Sequence, residues 1–394
     1  MDIEQQSLRI LALTTSYPTS ETDYRGRFIH EWAQSLFAHN ATVRVIGPRA
    51  PSILPGVPYE GFRHYPGLLM ENGAPDTLQE RKIWGTVIGA AVTVDMARLA
   101  RARSNAGELI VAHWLMPSAF AAFSVQRQKG CRVHAYAHGS DVALLEAMPS
   151  MVSRRLTRVL DRQLNGISFV SNQLKERFNR LLGRASSTPQ YVVPMGLHRA
   201  NPCEDFAQEI RKRAQGKTVM CTIGRLVPIK GLDTLAQAIA REPKYLWVAA
   251  GHGPEAQTLR TWLPDENRLF LPGILSPPQR EALLRESHVF IQPSRVLGYR
   301  QEGTPVAVLE AMAAGVPTIL SATGGLTVIG ESAGSILIPP DDPHMLKSAI
   351  EELMASPERR RAISQNHSEY GEQYVWSNLS RQHIQMLKKS ASDS

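Results

Sequence analysis

Short apolar runs alternate with stretches of helical periodicity along nearly the whole chain. In the first half RILALTTSYP, ATVRVIGP, ELIVAHWLMP, CRVHAYAHGSD, GISFVS and QYVVPMG read as strands. Between them RFIHEWAQSLFAHN, residues 77–104, SAFAAFSVQRQKG and NQLKERFNRLLG place apolar residues at helical spacing. Strands that are apolar throughout belong to a parallel sheet covered by helices on both faces. The second half repeats the scheme with KTVMCTIGRL, YLWVAAGHG, NRLFLPGI, HVFIQPS and PTILSAT as strands. LDTLAQAIAR, PEAQTLRTWL, PPQREALLRES and VAVLEAMAAG are its helices, the last stopped by Gly315 and Pro317. The expected fold is α/β, with two Rossmann-like domains over residues 1–198 and 199–373. A helical segment over 374–394 is expected to pack back toward the first domain and end in a frayed tail. Residues 48–58, rich in proline, read as an extended loop, and 196–216 as the junction.

Composition changes this picture little. A chain of 394 residues with 43% hydrophobic and 20% charged content is long enough for two domains, each with its own core. Cys131, Cys203 and Cys221 are far apart, which argues against a disulfide framework and fits a reducing compartment. MDIEQQS lacks the basic start and apolar run of a secretory signal. IWGTVIGAAVTV is too short to span a bilayer, which needs about 20 residues. The expected location is the cytoplasm or the inner face of the plasma membrane.

Charge adds more. Residues 1–200 hold 23 Lys or Arg against 15 Asp or Glu, while the remainder is balanced, so the whole excess of +8 lies in the first half. Arg98, Arg101, Arg103, Arg154, Arg155, Arg158, Arg162, Lys175, Arg177, Arg180 and Arg184 form this basic set. Such a field suits an anionic membrane or a phosphorylated substrate as well as a solvated face without a partner. No recognition motif accompanies it, so nucleic acid is not expected.

Ligands of open α/β sheets sit beyond the carboxyl ends of the strands, and four such loops carry candidate chemistry. In GRLVPIKG, Gly224 and Arg225 end a strand and Lys230 precedes a helix, so the two cations can clamp a diphosphate. In QEGTPVAVLEAMAAGVP, Pro305 opens a helix whose free N–H groups form an anion site, and Gly303 admits a close backbone approach. Glu302 stands just outside that turn and Glu310 about one turn within it, so both can face one long ligand. A carboxylate suits vicinal hydroxyls, each oxygen accepting from one of them. In AYAHGSD, His138 follows a buried strand with Asp141 close by, placed to bond a substrate hydroxyl or move a proton. Gly26 precedes the first helix as that domain's phosphate loop, without a dinucleotide fingerprint. His113 is a weaker candidate. No HExxH, cysteine pair or Asp-x-Asp motif is present, and a reaction without a bound metal is expected.

On these motifs the chain resembles the family 4 glycosyltransferases of GT-B fold, over roughly residues 8 to 385. EGTPVAVLEAMAAGVP is similar to that family's E-x7-E signature. GRLVPIKG, HGSD, VSNQLKE, VPMGLH and GHGPE follow its other motifs in order. The resemblance implies two domains facing each other across a cleft, the first taking the acceptor. It implies a nucleoside diphosphate sugar, UDP- or GDP-linked, as donor, no permanently bound cofactor, and retention at the anomeric carbon. Glu302 would hold the donor sugar, Gly303 and Thr304 would offer backbone N–H groups, and Glu310 would grip the ribose. Arg225 and Lys230 would bind the diphosphate, His138 would lie by the sugar, Gly26 would approach the phosphates and Ile274 would pack the base. The acceptor would be the hydroxyl of a glycan, a lipid-linked glycan or a small molecule, in polysaccharide or glycolipid synthesis. Two departures stand out: Arg25-Gly26-Arg27 where members carry two glycines, and GGLTVI without the usual Pro-Glu pair. A phosphorylase or synthase, a non-enzymatic sugar-nucleotide sensor and a two-domain epimerase are the competing readings.

Overall fold

The computed structural model describes residues 7–20, 23, 25–49, 52–63, 82–297, 302 and 306–392, with side chains omitted for 82–88. It divides into two compact units, the first running to Gly196 and resuming at Trp376, the second spanning Leu197–Val375.

The first unit holds a seven-stranded sheet of order β3-β2-β1-β4-β5-β6-β7. Its strands are β1 (Leu8–Leu13), β2 (Ala41–Pro48), β3 (Tyr59–Phe62), β4 (Leu109–His113), β5 (Arg132–Ala137), β6 (Gly166–Phe169) and β7 (Gln190–Val192). All its pairings are parallel. The helices are α1 (Arg27–Phe37), α2 (Lys82–Arg103), α3 (Phe120–Lys129), α4 (Ser140–Glu146), α5 (Ser150–Gln163) and α6 (Asn172–Leu182). β4 and β5 are buried almost end to end because helices cover both sides of the sheet.

The second unit holds a parallel six-stranded sheet of order β10-β9-β8-β11-β12-β13. These strands are β8 (Thr218–Ile223), β9 (Tyr245–Ala250), β10 (Leu269–Gly273), β11 (Val289–Gln292), β12 (Thr318–Ser321) and β13 (Ile336–Ile338). Around it lie α7 (Glu204–Ala214), α8 (Leu232–Ile239), α9 (Glu255–Trp262), α10 (Pro277–Glu286), α11 (Val306–Ala313), α12 (Gly324–Ala333), α13 (Pro343–Ala355) and α14 (Pro357–Glu372). Both strand orders reverse beside the first strand, between β1 and β4 and between β8 and β11. The loops leaving those four strands therefore flank the crevices where open α/β sheets take ligands.

The last helix, α15 (Trp376–Ala391), returns to the first unit and packs on α1 and β5. Beside the apolar packing of Leu379, Ile384 and Leu387 it makes buried polar contacts. The Tyr136 hydroxyl meets Nδ1 of His383 at 2.8 Å, and Nε2 of His383 meets the Pro194 carbonyl at 3.0 Å. A carbonyl only accepts, so Nε2 carries the proton and Nδ1 accepts from the tyrosine. His134 bonds Ser390 and Ser168, each at 2.9 Å. Burial pushes His134 down to about 3 and His383 down to about 4, so both are neutral near pH 7.

Local details add to or amend the expected picture. The junction contains α7, whose Phe206, Ala207, Ile210 and Ala214 are buried at helical spacing. Its first turn is acidic and its last turn basic, which complements the helix dipole. The proline-rich loop is followed by the short edge strand β3. ELIVAHWLMP is a strand only to His113; Leu115–Ala119 follows as an irregular, kinked turn with Met116 extended. GGLTVI forms the start of α12. Residues 77–81 of the expected long helix lie outside the described residues.

Candidate functional site

In the second unit β8 is followed by Gly224, whose φ of 149° is open to glycine and rare for other residues. A Cβ there would lie 3.5 Å from the end of the Lys230 side chain, which passes over the bare backbone. Lys230 closes a 3₁₀ turn, Pro228–Lys230, just before α8. From there its Nζ reaches Oε1 of Glu302 at 2.9 Å, and both side chains are 14% exposed. Two segments from the switch point, the loop after β8 and the loop after β11, thus meet through one ion pair. The Glu302 carbonyl accepts the N–H of Gly325 at 3.0 Å, tying this loop to the start of α12. Arg225 is exposed on the β8 loop next to buried Leu226. Gly303, Thr304 and Pro305 lie outside the described residues.

Glu310 lies in the middle of α11, and its Oε1 is held by the guanidinium of Arg280 on α10. Its other oxygen, Oε2, is buried and meets no hydrogen-bond donor among the described residues. The two oxygens of this carboxylate thus differ, Oε1 meeting a cation and Oε2 meeting no donor among the described residues. Ile274, 44% exposed, follows β10 directly and offers an apolar surface.

In the first unit Gly26 precedes α1 at φ +66°, and a Cβ there would lie 2.3 Å from the Ser16 carbonyl oxygen. Only glycine fits that approach. The neighbouring arginines are engaged by acids: Arg25 pairs with Asp23 at 2.9 Å and Arg27 with Glu31 at 3.2 Å. Burial raises the Asp23 carboxyl, but hydrogen bonds from Arg25 and Thr19 outweigh it and hold the group below its usual range.

His138 follows β5, its ring near Phe28 and Trp114 at 4.9 and 5.1 Å between centroids. Its Nε2 meets Nδ1 of His113 at 3.1 Å. Burial pushes His138 down to about 3, so near neutral pH it is an uncharged hydrogen-bonding ring. Asp141 does not orient it as a triad acid would. Its carboxylate accepts the backbone N–H groups of Leu115, His138, Gly139 and Val142, fastening the β4 and β5 loops together. His113 is fully buried, stacked on Tyr136 and His138, and burial holds it well below its ordinary range. Trp114, at φ +72°, is a strained residue at the switch point. Neither Trp114 nor Arg280 carries a sequence signal, since one is marked only by its backbone and the other by a partner 30 positions on.

Among the described residues no group of three or more His, Cys, Asp or Glu could hold a metal ion. No helix of the described residues is long and apolar enough to cross a membrane.

Residues 204–370 match the family model described as glycosyl transferases group 1. A GDP-mannose-dependent α-(1-6)-phosphatidylinositol monomannoside mannosyltransferase of Mycobacterium tuberculosis is 30% identical, over 65% of this chain and 69% of its own length. The chain belongs to the group 1 glycosyltransferases. A putative teichuronic acid biosynthesis glycosyltransferase of Bacillus subtilis is 28% identical over 87% of this chain and 88% of its own. Two solved structures share the fold at low identity. Sucrose-phosphate synthase from Thermosynechococcus elongatus aligns with a TM-score of 0.72 at 18% identity, covering 97% and 98% of the two chains. An Anabaena protein in complex with UDP and glucose aligns at 0.70 with 17% identity, covering 96% and 99%. The two parallel-sheet units are those of the GT-B glycosyltransferases. Arg225, Lys230, Ile274, Glu302 and Glu310 fall within the segment that matches the group 1 model, whereas Gly26 and His138 lie outside it.

Proposed function

We propose that this glycosyltransferase moves a hexose from a UDP- or GDP-sugar to a hydroxyl acceptor, with retention at the anomeric carbon and without a metal ion. The contact between Lys230 and Glu302 carries the reading. It puts the cation suited to a diphosphate beside the acid suited to sugar hydroxyls, at the switch point of the second sheet. The bond that breaks lies between those two groups of the donor. Lys230 and Arg225 stabilise the departing diphosphate, which itself takes the acceptor proton in a front-side transfer. Glu302 holds the sugar, backbone N–H groups of Gly303 and Thr304 supplement it at the helix start opened by Pro305, and Gly224 lets the phosphates approach. Glu310 holds the ribose and Ile274 covers the base. Neutral His138 bonds a sugar hydroxyl, and Gly26 lies against the phosphates. The first unit takes the acceptor. The relatives' roles, in teichuronic acid and phosphatidylinositol mannoside synthesis, support an envelope glycan or glycolipid as acceptor.

The acceptor side also bears a basic face, which supports work at the inner, anionic surface of the plasma membrane. Arg154, Arg155, Arg158 and Arg162 lie along α5 and line a groove of about 680 Å³ with Met151. None of the four has a carboxylate partner among the described residues. Met151, 85% exposed, and Val152 stand at the start of the same helix. Unpaired arginines beside exposed apolar side chains suit acidic lipid headgroups. A donor panel tests the proposal: thermal shift with UDP- and GDP-sugars, then donor hydrolysis without acceptor. Absence of a response to any nucleotide sugar would overturn it.

A further inference from the structure

Both acids of the α11 region are met by one cation through one oxygen. Lys230 reaches Oε1 of Glu302, and Arg280, the fourth residue of α10, reaches Oε1 of Glu310. The Arg280 and Glu310 side chains are 20% and 18% exposed. An ion pair serving stability alone does best as a two-pronged fork, each carboxylate oxygen receiving its own N–H. Here the recorded contact leaves Oε2 of Glu310 buried and without a donor among the described residues. A buried charged acceptor left bare is costly, and a ligand hydroxyl that reaches it gains a charge-assisted hydrogen bond.

We propose that Arg280 is the positioning residue for recognition of the donor's ribose. It holds the Glu310 carboxylate in one rotamer, so that Oε2 is presented to a single ribose hydroxyl. The inference rests on the reading of the second unit as a nucleotide-sugar site. It adds a residue to that site and changes its selectivity, because recognition runs through one carboxylate oxygen instead of two. Arg280 acts through Glu310 and takes no part in bond breaking.

The test uses UDP and GDP as probes, with their 2′-deoxy and 3′-deoxy forms, measured by titration calorimetry on the full chain. The wild-type protein should prefer the ribonucleotide over at least one deoxy form by about tenfold or more, the usual worth of one charge-assisted hydrogen bond. Arg280→Met should lose roughly tenfold in ribonucleotide affinity while deoxynucleotide affinity changes little, so the preference collapses. Arg280→Lys should fall between them, keeping the charge on a more flexible stem that fixes the carboxylate less firmly. In turnover the loss should appear in donor KM with kcat nearly unchanged. A melting temperature within a few degrees of wild type certifies the fold; if the methionine variant does not fold, the lysine variant is read by the same ratio. An unchanged ribose preference in a folded Arg280 variant overturns the inference and leaves the donor reading standing. Failure of the wild-type protein to bind either nucleotide overturns both.

Discussion

Acidification should loosen the first unit through His134 on β5 and His383 on α15. His134 and His383 are fully buried and neutral, pushed down to about 3 and about 4 from 6.5. The folded protein therefore excludes protons that the unfolded chain binds. The sign follows: stability is complete above about pH 6.5 and falls with pH toward the folded-state values. Each pH unit in that window removes about 1.36 kcal/mol per histidine. Between pH 6.5 and pH 5 the loss is roughly 2 kcal/mol for His383 and as much for His134. Summed, this approaches a third or more of the roughly 5–15 kcal/mol that stabilises a typical protein. The assay is urea unfolding at a series of pH values for wild type and His383→Gln. The variant should be less stable near pH 7.5, because the Tyr136 and Pro194 partners lose their geometry. Its deficit should shrink by about 2 kcal/mol on going to pH 5, since it has no proton to take up there. A deficit independent of pH would refute the reasoning.

Other perturbations have separate readouts. Lys230→Met should lower kcat by about 10²–10³, the cost of one electrostatic donor to a leaving group, with near-normal turnover counting against it. Gly26→Ala should destabilise the first unit by about 2–4 kcal/mol, because the backbone has positive φ and the new methyl meets the Ser16 carbonyl; a melting temperature equal to wild type would contradict this. Reversal of Arg154, Arg155 and Arg158 to Glu should abolish co-sedimentation with vesicles rich in phosphatidylglycerol at low salt while leaving donor hydrolysis intact. Wild-type binding that ignores lipid charge and salt would argue against the basic face.

Much of the architecture was legible because buried parallel strands leave continuous apolar runs. KTVMCTIGRL and YLWVAAGHG announce β8 and β9 without ambiguity. The site loops were legible because glycines and charges cluster where strands end. What escaped had weak or distant signals. β3 is a four-residue edge strand, YEGF, too short for a period to emerge. α7 was hidden by its place between the halves, although its charge gradient and buried positions are plain in retrospect. Arg280 looks like any charged residue of an amphipathic helix until folding brings it to Glu310. Asp141 stands close to His138 in the sequence, yet its carboxylate is spent on four backbone N–H groups. A carboxylate after a buried strand serves either purpose, and only the neighbouring loop decides between them.

The central claim is retaining transfer from a nucleotide sugar. It is tested most directly by NMR of the hexose released when the purified protein hydrolyses a UDP- or GDP-sugar with water as acceptor, in the presence of a metal chelator. The account predicts that nucleoside diphosphate appears with the sugar and that the first-formed hexose keeps the donor's anomeric configuration. A first-formed hexose of opposite configuration, or turnover that needs inorganic phosphate and no nucleotide, would contradict it.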